Sequence, residues 1–150
     1  MSDTRFWSKL ISLVSGATVV VDRPKGTAHP RIPELIYPLD YGFLRGTRSG
    51  DGHGIDVWIG SLKSRAITGV VCTVDSVKRD SEVKVLLGCS RADQRRILSI
   101  HNHSTQGAVL IRPEPVRGID RGRKRRRTSS TTRPARRRKR TLGARRRPPA

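Results

Sequence analysis

The stretch from Tyr37 to Asp56 reads YPLDYGFLRGTRSGDGHGID and carries most of the chemical information in this 150-residue chain. Its second half places Asp51 and Asp56 five residues apart, with glycines between them. A glycine-rich turn of this kind allows two carboxylates to be aimed at one point, and hard divalent cations such as Mg²⁺ prefer such oxygen ligands. Aspartate and glycine also form ordinary hairpin turns, so the spacing alone leaves both interpretations open.

The segments on either side of this stretch have the composition of β-strands. Short runs rich in β-branched residues are separated by Gly, Pro, Asp and Ser, and they lie at 18–21, 34–37, 55–59, 67–74, 83–87 and 108–111. Five or six short strands in mostly sequential order predict a mainly β (α+β) fold, namely a small OB-like closed or nearly closed β-barrel. Periodicity alone does not separate a barrel from a sandwich.

One or two helices are predicted at the periphery of this barrel. Ser2 and Asp3 are suitable caps for a first helix, which ends at Gly16. Residues 90–93 resemble a capping box and begin a second helix. We expect the first helix to cover one end of the core.

The positive charge is concentrated at the C-terminal end. Residues 1–116 hold 16 Lys+Arg and 11 Asp+Glu, a net +5, whereas residues 117–150 hold 16 Lys+Arg and one acid, a net +15, which together give +20. Beyond residue 116 apolar residues are almost absent, so this segment cannot bury enough surface to offset its ordering entropy. The sequence therefore predicts one folded domain over 1–116 and a disordered Arg-rich tail over 117–150.

Three interpretations of the tail stay open. Its Arg and Lys blocks at 123–127 and 136–140 suit non-specific binding of nucleic acid or polyphosphate. It is equally compatible with a solvated segment that has no dedicated partner. The third interpretation is that a shifted reading frame encodes it.

The remaining composition argues against a secreted or membrane protein. Cys72 and Cys89 are too few for a disulfide framework and lack the spacing of a metal site. No apolar run approaches the ~18–20 residues that span a membrane. We therefore predict a cytoplasmic location with no membrane partner.

Taken together, the motifs resemble those of a known enzyme family. Tyr-Pro-x-x-Tyr-Gly-Phe followed by Thr-x-Ser-x-Asp-Gly-x-x-x-Asp-Val closely resembles the central motif of the soluble (family I) inorganic pyrophosphatases, and residues 21–24 match their Val-Asp-Arg strand end. The resemblance covers roughly residues 18–88. It implies Mg²⁺-dependent hydrolysis of inorganic pyrophosphate, with Mn²⁺ as an alternative metal.

The resemblance also implies roles for individual residues. Asp51 and Asp56 match magnesium ligands, and Asp80 and Glu82 fall on a later acidic segment that supplies further ligands. The implied contacts to substrate come from Arg23, Lys25, Tyr41 and Lys84, where Lys25 replaces a cation that the family carries elsewhere. For Asp80 and Glu82 a solvated charged hairpin is the competing interpretation.

The clearest departure from the family is His53, which occupies the position of the motif's middle aspartate. That aspartate orients or deprotonates the attacking water, and a neutral histidine is able to act as a general base near pH 7. His53 is therefore a candidate catalytic residue together with Asp56. Ligation of a softer metal and a plain turn residue are the other interpretations.

Three functions follow from these observations. The first is a pyrophosphatase with inorganic pyrophosphate as substrate. The second is a non-catalytic relative of the same barrel that binds phosphate or a nucleotide, and the third is nucleic-acid binding through the tail. The sequence leaves homo-oligomer formation open.

Overall fold

The computed structural model describes residues 4–114, which form two helices and eight strands. In chain order these elements are α1 (Thr4–Ser15), β1 (Thr18–Arg23), β2 (Ala28–His29), β3 (Ile32–Ile36), β4 (Asp40–Arg45), β5 (Ile55–Ile59), β6 (Ile67–Asp75), β7 (Asp80–Leu87), α2 (Arg91–His101) and β8 (Gln106–Ile111). The mainly β composition and both helices are as predicted. The predicted tail at 117–150 lies outside the described residues.

Six of the strands form one mixed sheet in the order β1-β4-β5-β7-β6-β8. Neighbouring strands are antiparallel except for β5 and β7, which run parallel with Val57 opposite Val85. Strands β2 and β3 form a separate two-stranded hairpin between β1 and β4. This hairpin was not predicted at 28–29, where Pro30 and few β-branched residues weaken the strand signal.

The predicted closed barrel is not found among the described strands. Closure requires β1 to pair with β8, and these strands lie at opposite edges of the sheet. At the β8 edge, the Asn102 side chain accepts from the Ala108 N–H at 2.9 Å and donates to the Ala108 carbonyl at 3.2 Å. A further strand would need those two backbone groups, so their use by a side chain limits extension of the sheet at this edge.

The two helices pack on opposite faces of the sheet. Helix α2 brings Ile97 onto the face that carries Tyr41, Trp58 and Leu86. Helix α1 brings Leu10 and Val14 onto the other face, against a buried set made of Leu44, Val57, Ile59, Val85 and Leu87. Side chains alternate between the two faces along each strand, so each central strand of the sheet contributes to the buried sets on both faces. No helix within residues 4–114 is long and apolar enough to cross a membrane.

Helix α2 begins where the sequence predicts. The Ser90 hydroxyl accepts from the Asp93 N–H, and the Asp93 carboxylate accepts from the Ser90 N–H, which completes the capping box. Asp93 Oδ2 also accepts from the N–H and the hydroxyl of Ser61, at 2.9 and 2.7 Å. These hydrogen bonds outweigh the effect of burial and lower the pKa of Asp93 to about 2. The same carboxylate therefore fixes both the helix start and the loop after β5.

Candidate functional site

Lys84 lies at the centre of the cluster that the structure assembles from the predicted site residues. Its side chain is only 5% exposed, and its ammonium group donates to Asp56 Oδ2 at 2.5 Å, Glu82 Oε2 at 2.5 Å and the Tyr41 hydroxyl at 3.2 Å. An ammonium has three hydrogens to donate, and these three oxygens account for all of them. Two carboxylates and full hydrogen bonding compensate for the burial of this charge.

Strand pairing explains why these residues meet. Glu82 and Lys84 are two residues apart on β7 and share one face of the sheet. The parallel register of β5 and β7 places Asp56 beside Lys84, and the antiparallel register of β4 and β5 places Tyr41 opposite Trp58 on that same face. The cluster therefore depends on three strands that are neighbours in the sheet, although β6 separates β5 from β7 in the chain.

A β-bulge brings Arg23 to the cluster. The register of β1 against β4 shifts between Val21 and Arg23, so that Arg23 lies opposite Tyr41. In a regular strand Arg23 would share the face of Val21, but the extra residue turns its side chain to the face of Tyr41. There Arg23 Nη1 donates to the Tyr37 hydroxyl at 2.8 Å, and the guanidinium carbon lies 5.6 Å from the centre of the Tyr41 ring.

The cluster sits on a buried aromatic layer. Tyr37 stacks on Tyr41 with ring centres 5.6 Å apart, and Tyr41 meets the edge of Trp58 at 4.7 Å. Burial, and then the charge of Asp56 together with a hydrogen bond to it, raise the pKa of Tyr41 far above its usual range. Tyr41 therefore keeps its proton at any working pH.

His101 closes the far side of this layer as a neutral histidine. Its Nε2 accepts from the Trp58 indole N–H at 3.1 Å, so its Nδ1 carries the proton and donates to Gln106 Oε1 at 2.8 Å. Burial lowers the pKa of His101 to about 4, and the charge of Lys84 acts in the same direction. His101 is thus a structural residue of α2.

Because the pKa of His101 is lowered in the folded state, we expect the protein to lose stability in acid. The pKa of His101 is lower in the folded state than in the unfolded chain, so its contribution is fully present above about pH 6.5 and is lost as the pH falls towards 4. We expect the free energy of unfolding to fall by about 3 kcal/mol across that range. Urea unfolding at several pH values measures it, and a His101→Gln variant should show a clearly smaller pH slope between pH 6.5 and 4. An unchanged slope in that variant would contradict the assignment.

The glycine-rich turn has a mainly local role in the structure. Asp51 Oδ1 accepts from the His53 N–H at 3.0 Å, and the Ser49 N–H donates to the His53 carbonyl at 2.6 Å. Asp51 and His53 are exposed at the surface of this turn. The shared metal site of Asp51 and Asp56 therefore stays a prediction.

The other predicted site residues lie around the cluster. Asp80 begins β7 opposite Asp75, on the same face as Glu82 and Lys84 but at the exposed end of the strand. Lys25 is exposed, and its backbone N–H donates to Asp40 Oδ1 at 2.8 Å. Within residues 4–114 no three His, Cys, Asp or Glu side chains converge as a ready set of metal ligands.

Sequence reasoning missed two residues of the site. Tyr37 was part of the quoted motif but was not named as a site residue. A buried tyrosine hydroxyl is expected to form a hydrogen bond, but the sequence did not indicate that Arg23 would be its partner. His29 stacks on Tyr37, with ring centres 5.9 Å apart and an interplanar angle of 22°. No signal in the sequence pointed to His29, because the hairpin that carries it was not predicted.

Comparison with known proteins gives a limited result. No protein-family model matches the sequence, and no curated protein matches it. Among solved structures, an inorganic pyrophosphatase from Coxiella burnetii is similar, with 15% identity, a TM-score of 0.45, and coverage of 61% of this chain and 81% of that chain. The inorganic pyrophosphatase from Helicobacter pylori gives 15% identity, a TM-score of 0.44, and coverage of 63% and 81%. Such values describe a likeness of fold at most and assign no activity.

Proposed function

We propose that this chain hydrolyses inorganic pyrophosphate to two phosphates with the help of Mg²⁺. The observation that supports this most is the buried Lys84 ammonium, which gathers Asp56, Glu82 and Tyr41 on the sheet face to which Arg23 is also turned. Cationic groups next to paired carboxylates are what a phosphoryl-transfer site requires, because such a site binds both the phosphate oxygens and a divalent cation.

The carboxylates present fit a Mg²⁺ ion that shares its ligands with substrate. The side chains of Asp56 and Glu82 are 31% and 25% exposed, so each keeps oxygen surface open to solvent while it accepts from Lys84. Mg²⁺ in phosphate-binding sites commonly takes one or two carboxylates and completes its shell with water and phosphate. Bound there, the cation would neutralise substrate charge and lower the pKa of a coordinated water. Asp51 and Asp80 remain proposed as further ligands.

The protein's own groups would hold the substrate. Arg23 offers a planar fork for a phosphate, and Lys84 offers a point charge. Since all three Lys84 hydrogens are already donated, a phosphate oxygen reaches this group only by replacing one of its present partners. Tyr41 remains protonated, but its one hydroxyl hydrogen is engaged with Asp56, so it would donate to a phosphate oxygen only by leaving that partner. Lys25 is proposed as an additional cation at the rim.

Proton transfer is proposed for His53 and Asp56. Asp56 lies within the cluster, whereas His53 is exposed in the turn before β5. Among the described residues the His53 ring makes no hydrogen bond that fixes its orientation. This arrangement favours a second candidate function, in which the site binds phosphate compounds without turnover.

The test is the release of phosphate from pyrophosphate with and without Mg²⁺. We expect release that requires the metal, and a loss of at least 100-fold in kcat/KM for Asp56→Asn, because that variant loses both a ligand charge and a partner of Lys84. Glu114→Gln removes an acid beyond β8 and serves as the matched control. If the wild-type chain binds pyrophosphate in calorimetry but releases no phosphate, the non-catalytic function is the correct one.

The remaining expectations stay predictions. They are binding of nucleic acid or polyphosphate by residues 117–150, which lie outside the described part of the chain, assembly into a homo-oligomer, and a cytoplasmic location.

A further inference from the structure

The β2–β3 hairpin carries a histidine next to the arginine of the site. The His29 ring stacks on Tyr37, and the hydroxyl of Tyr37 accepts from Arg23. Two backbone hydrogen bonds hold the base of the hairpin, from Gly26 N–H to the Tyr37 carbonyl at 2.8 Å and from Tyr37 N–H to the Thr27 carbonyl at 2.9 Å. The position of His29 relative to Arg23 is therefore determined by the fold.

The hydrogen bonds of His29 determine its tautomer. The Arg31 N–H donates to Nδ1 at 3.1 Å, so Nδ1 carries no proton. Burial lowers the pKa of His29, and the charges of Arg23, Lys78 and Arg31 lower it further, which keeps the ring neutral near pH 7. A neutral histidine with an unprotonated Nδ1 carries its hydrogen on Nε2. Within residues 4–114 this Nε2–H has no hydrogen-bond acceptor, although the side chain is partly buried.

The charges of three cations from separate parts of the chain act on this ring and lower its pKa. Arg23 comes from the bulge of β1 and Arg31 from the hairpin turn. Lys78 comes from the turn between β6 and β7, where Asp75 Oδ1 accepts from the N–H groups of Val77 and Lys78 at 2.9 and 3.0 Å. Positive charges in the neighbourhood of a neutral N–H donor make that neighbourhood favourable for an anion.

We propose that His29 is a substrate-positioning residue, whose Nε2–H donates to an oxygen of the phosphate group that Arg23 binds. Lys78, in the turn between β6 and β7, is a long-range contributor whose charge adds attraction for the anion. The naming of pyrophosphate as the ligand rests on the function proposed above. The placement of an anion subsite at His29 and Arg23 rests on the contacts of the hairpin, to which Lys78 adds only its charge.

Two substitutions distinguish the effect of the His29 N–H donor from the effect of ring stacking. His29→Phe keeps the stacking on Tyr37 but removes the donor, whereas His29→Gln loses the ring but restores an N–H group. Because a hydrogen bond to a charged group is worth about 1.5–3 kcal/mol, we expect His29→Phe to weaken pyrophosphate binding in calorimetry by at least 10-fold and to raise KM by a similar factor. We expect kcat to change by less than about 3-fold, and His29→Gln to recover most of the binding.

Further variants complete the test. Lys78→Met should weaken binding a few-fold at low salt and less at high salt, because its contribution is electrostatic. His103→Phe changes an exposed histidine after α2 and should have no effect. If the Phe variant binds as tightly as the wild type, or if Phe is tolerated and Gln is not, the ring only packs and the proposal is overturned.

The two proposals fail in different ways. A wild-type chain that binds pyrophosphate without releasing phosphate overturns the enzymatic function, and the His29 variants still decide the subsite by affinity. A wild-type chain that binds neither pyrophosphate nor inorganic phosphate overturns both.

Discussion

A Lys84→Met variant is expected to lose at least 100-fold of its phosphate release and about 2–3 kcal/mol of its free energy of unfolding. Methionine fills a similar volume but leaves Asp56 and Glu82 facing each other without the cation between them. Breaking a fully buried ion pair costs about 3–5 kcal/mol, and the partial exposure of both carboxylates reduces that figure here. Under the proposed function the rate falls because the substitution removes a charge that would bind phosphate oxygens.

The two effects of this substitution are separable. A triple variant that combines Lys84→Met with Asp56→Asn and Glu82→Gln removes all three charges together. We expect it to recover most of the lost stability, since no uncompensated charge remains, and to stay inactive. Lys63→Met removes an exposed lysine and is the matched control. Urea unfolding and a phosphate-release assay measure the two quantities, and a stable, active Lys84→Met would refute the central role of this side chain.

A Gly42→Ala variant is expected to lose about 4 kcal/mol of its free energy of unfolding, which is near the upper end for one added methyl group. A Cβ atom at Gly42 would lie 1.8 Å from the Val20 carbonyl oxygen and 2.9 Å from the Val21 Cα. Both are backbone atoms of the strand that contains the bulge, so the contact is relieved only by moving β1 away from β4.

The control for this prediction is another strand glycine. At Gly107 in β8 an added Cβ would contact a Val74 methyl carbon at 3.8 Å, which is an ordinary distance, so Gly107→Ala should change stability by less than 1 kcal/mol. Because the movement of β1 also displaces Arg23, a Gly42→Ala protein that remains folded should bind pyrophosphate more weakly. Thermal and urea unfolding of both variants measure the predicted difference in stability. Equal stability of the two variants would show that the strands are not held at this distance.

The local features of the fold were predictable from the sequence. The capping box at Ser90 begins α2, Gly16 follows α1, and the predicted β-branched runs correspond to strands of the six-stranded sheet or, for the run at 34–37, to β3 of the hairpin. Each of these depends on residues that are neighbours in the chain, and local propensity and capping chemistry are sufficient to indicate them. Lys84, Asp56, Glu82, Tyr41 and Arg23 were all named as candidates because they fall within motifs that are short and continuous.

The tertiary structure decided which of these candidates meet. The parallel pairing of β5 with β7 brings Asp56 to Lys84, and the bulge in β1 turns Arg23 to the face of Tyr41. The spacing of Asp51 and Asp56 left a shared metal site and an ordinary turn both open. In the structure Asp51 accepts from the His53 N–H of its own turn, and its role as a metal ligand stays a prediction. The choice between a local and a distant partner depends on strand order and register, which non-local contacts determine.

The stretch from Tyr37 to Asp56 by itself indicated the residue types of a candidate phosphate site, the start of β5 and the turn before it, whereas β4 (Asp40–Arg45) was not predicted. Only the folded sheet decided that Lys84, rather than the glycine-rich turn, is the centre of the cluster, and that the β2–β3 hairpin adds His29 beside Arg23. The physical reason is that a local motif specifies backbone shape over a few residues. A buried charge, by contrast, is placed by the partners that neutralise it, and those come from strands distant in sequence.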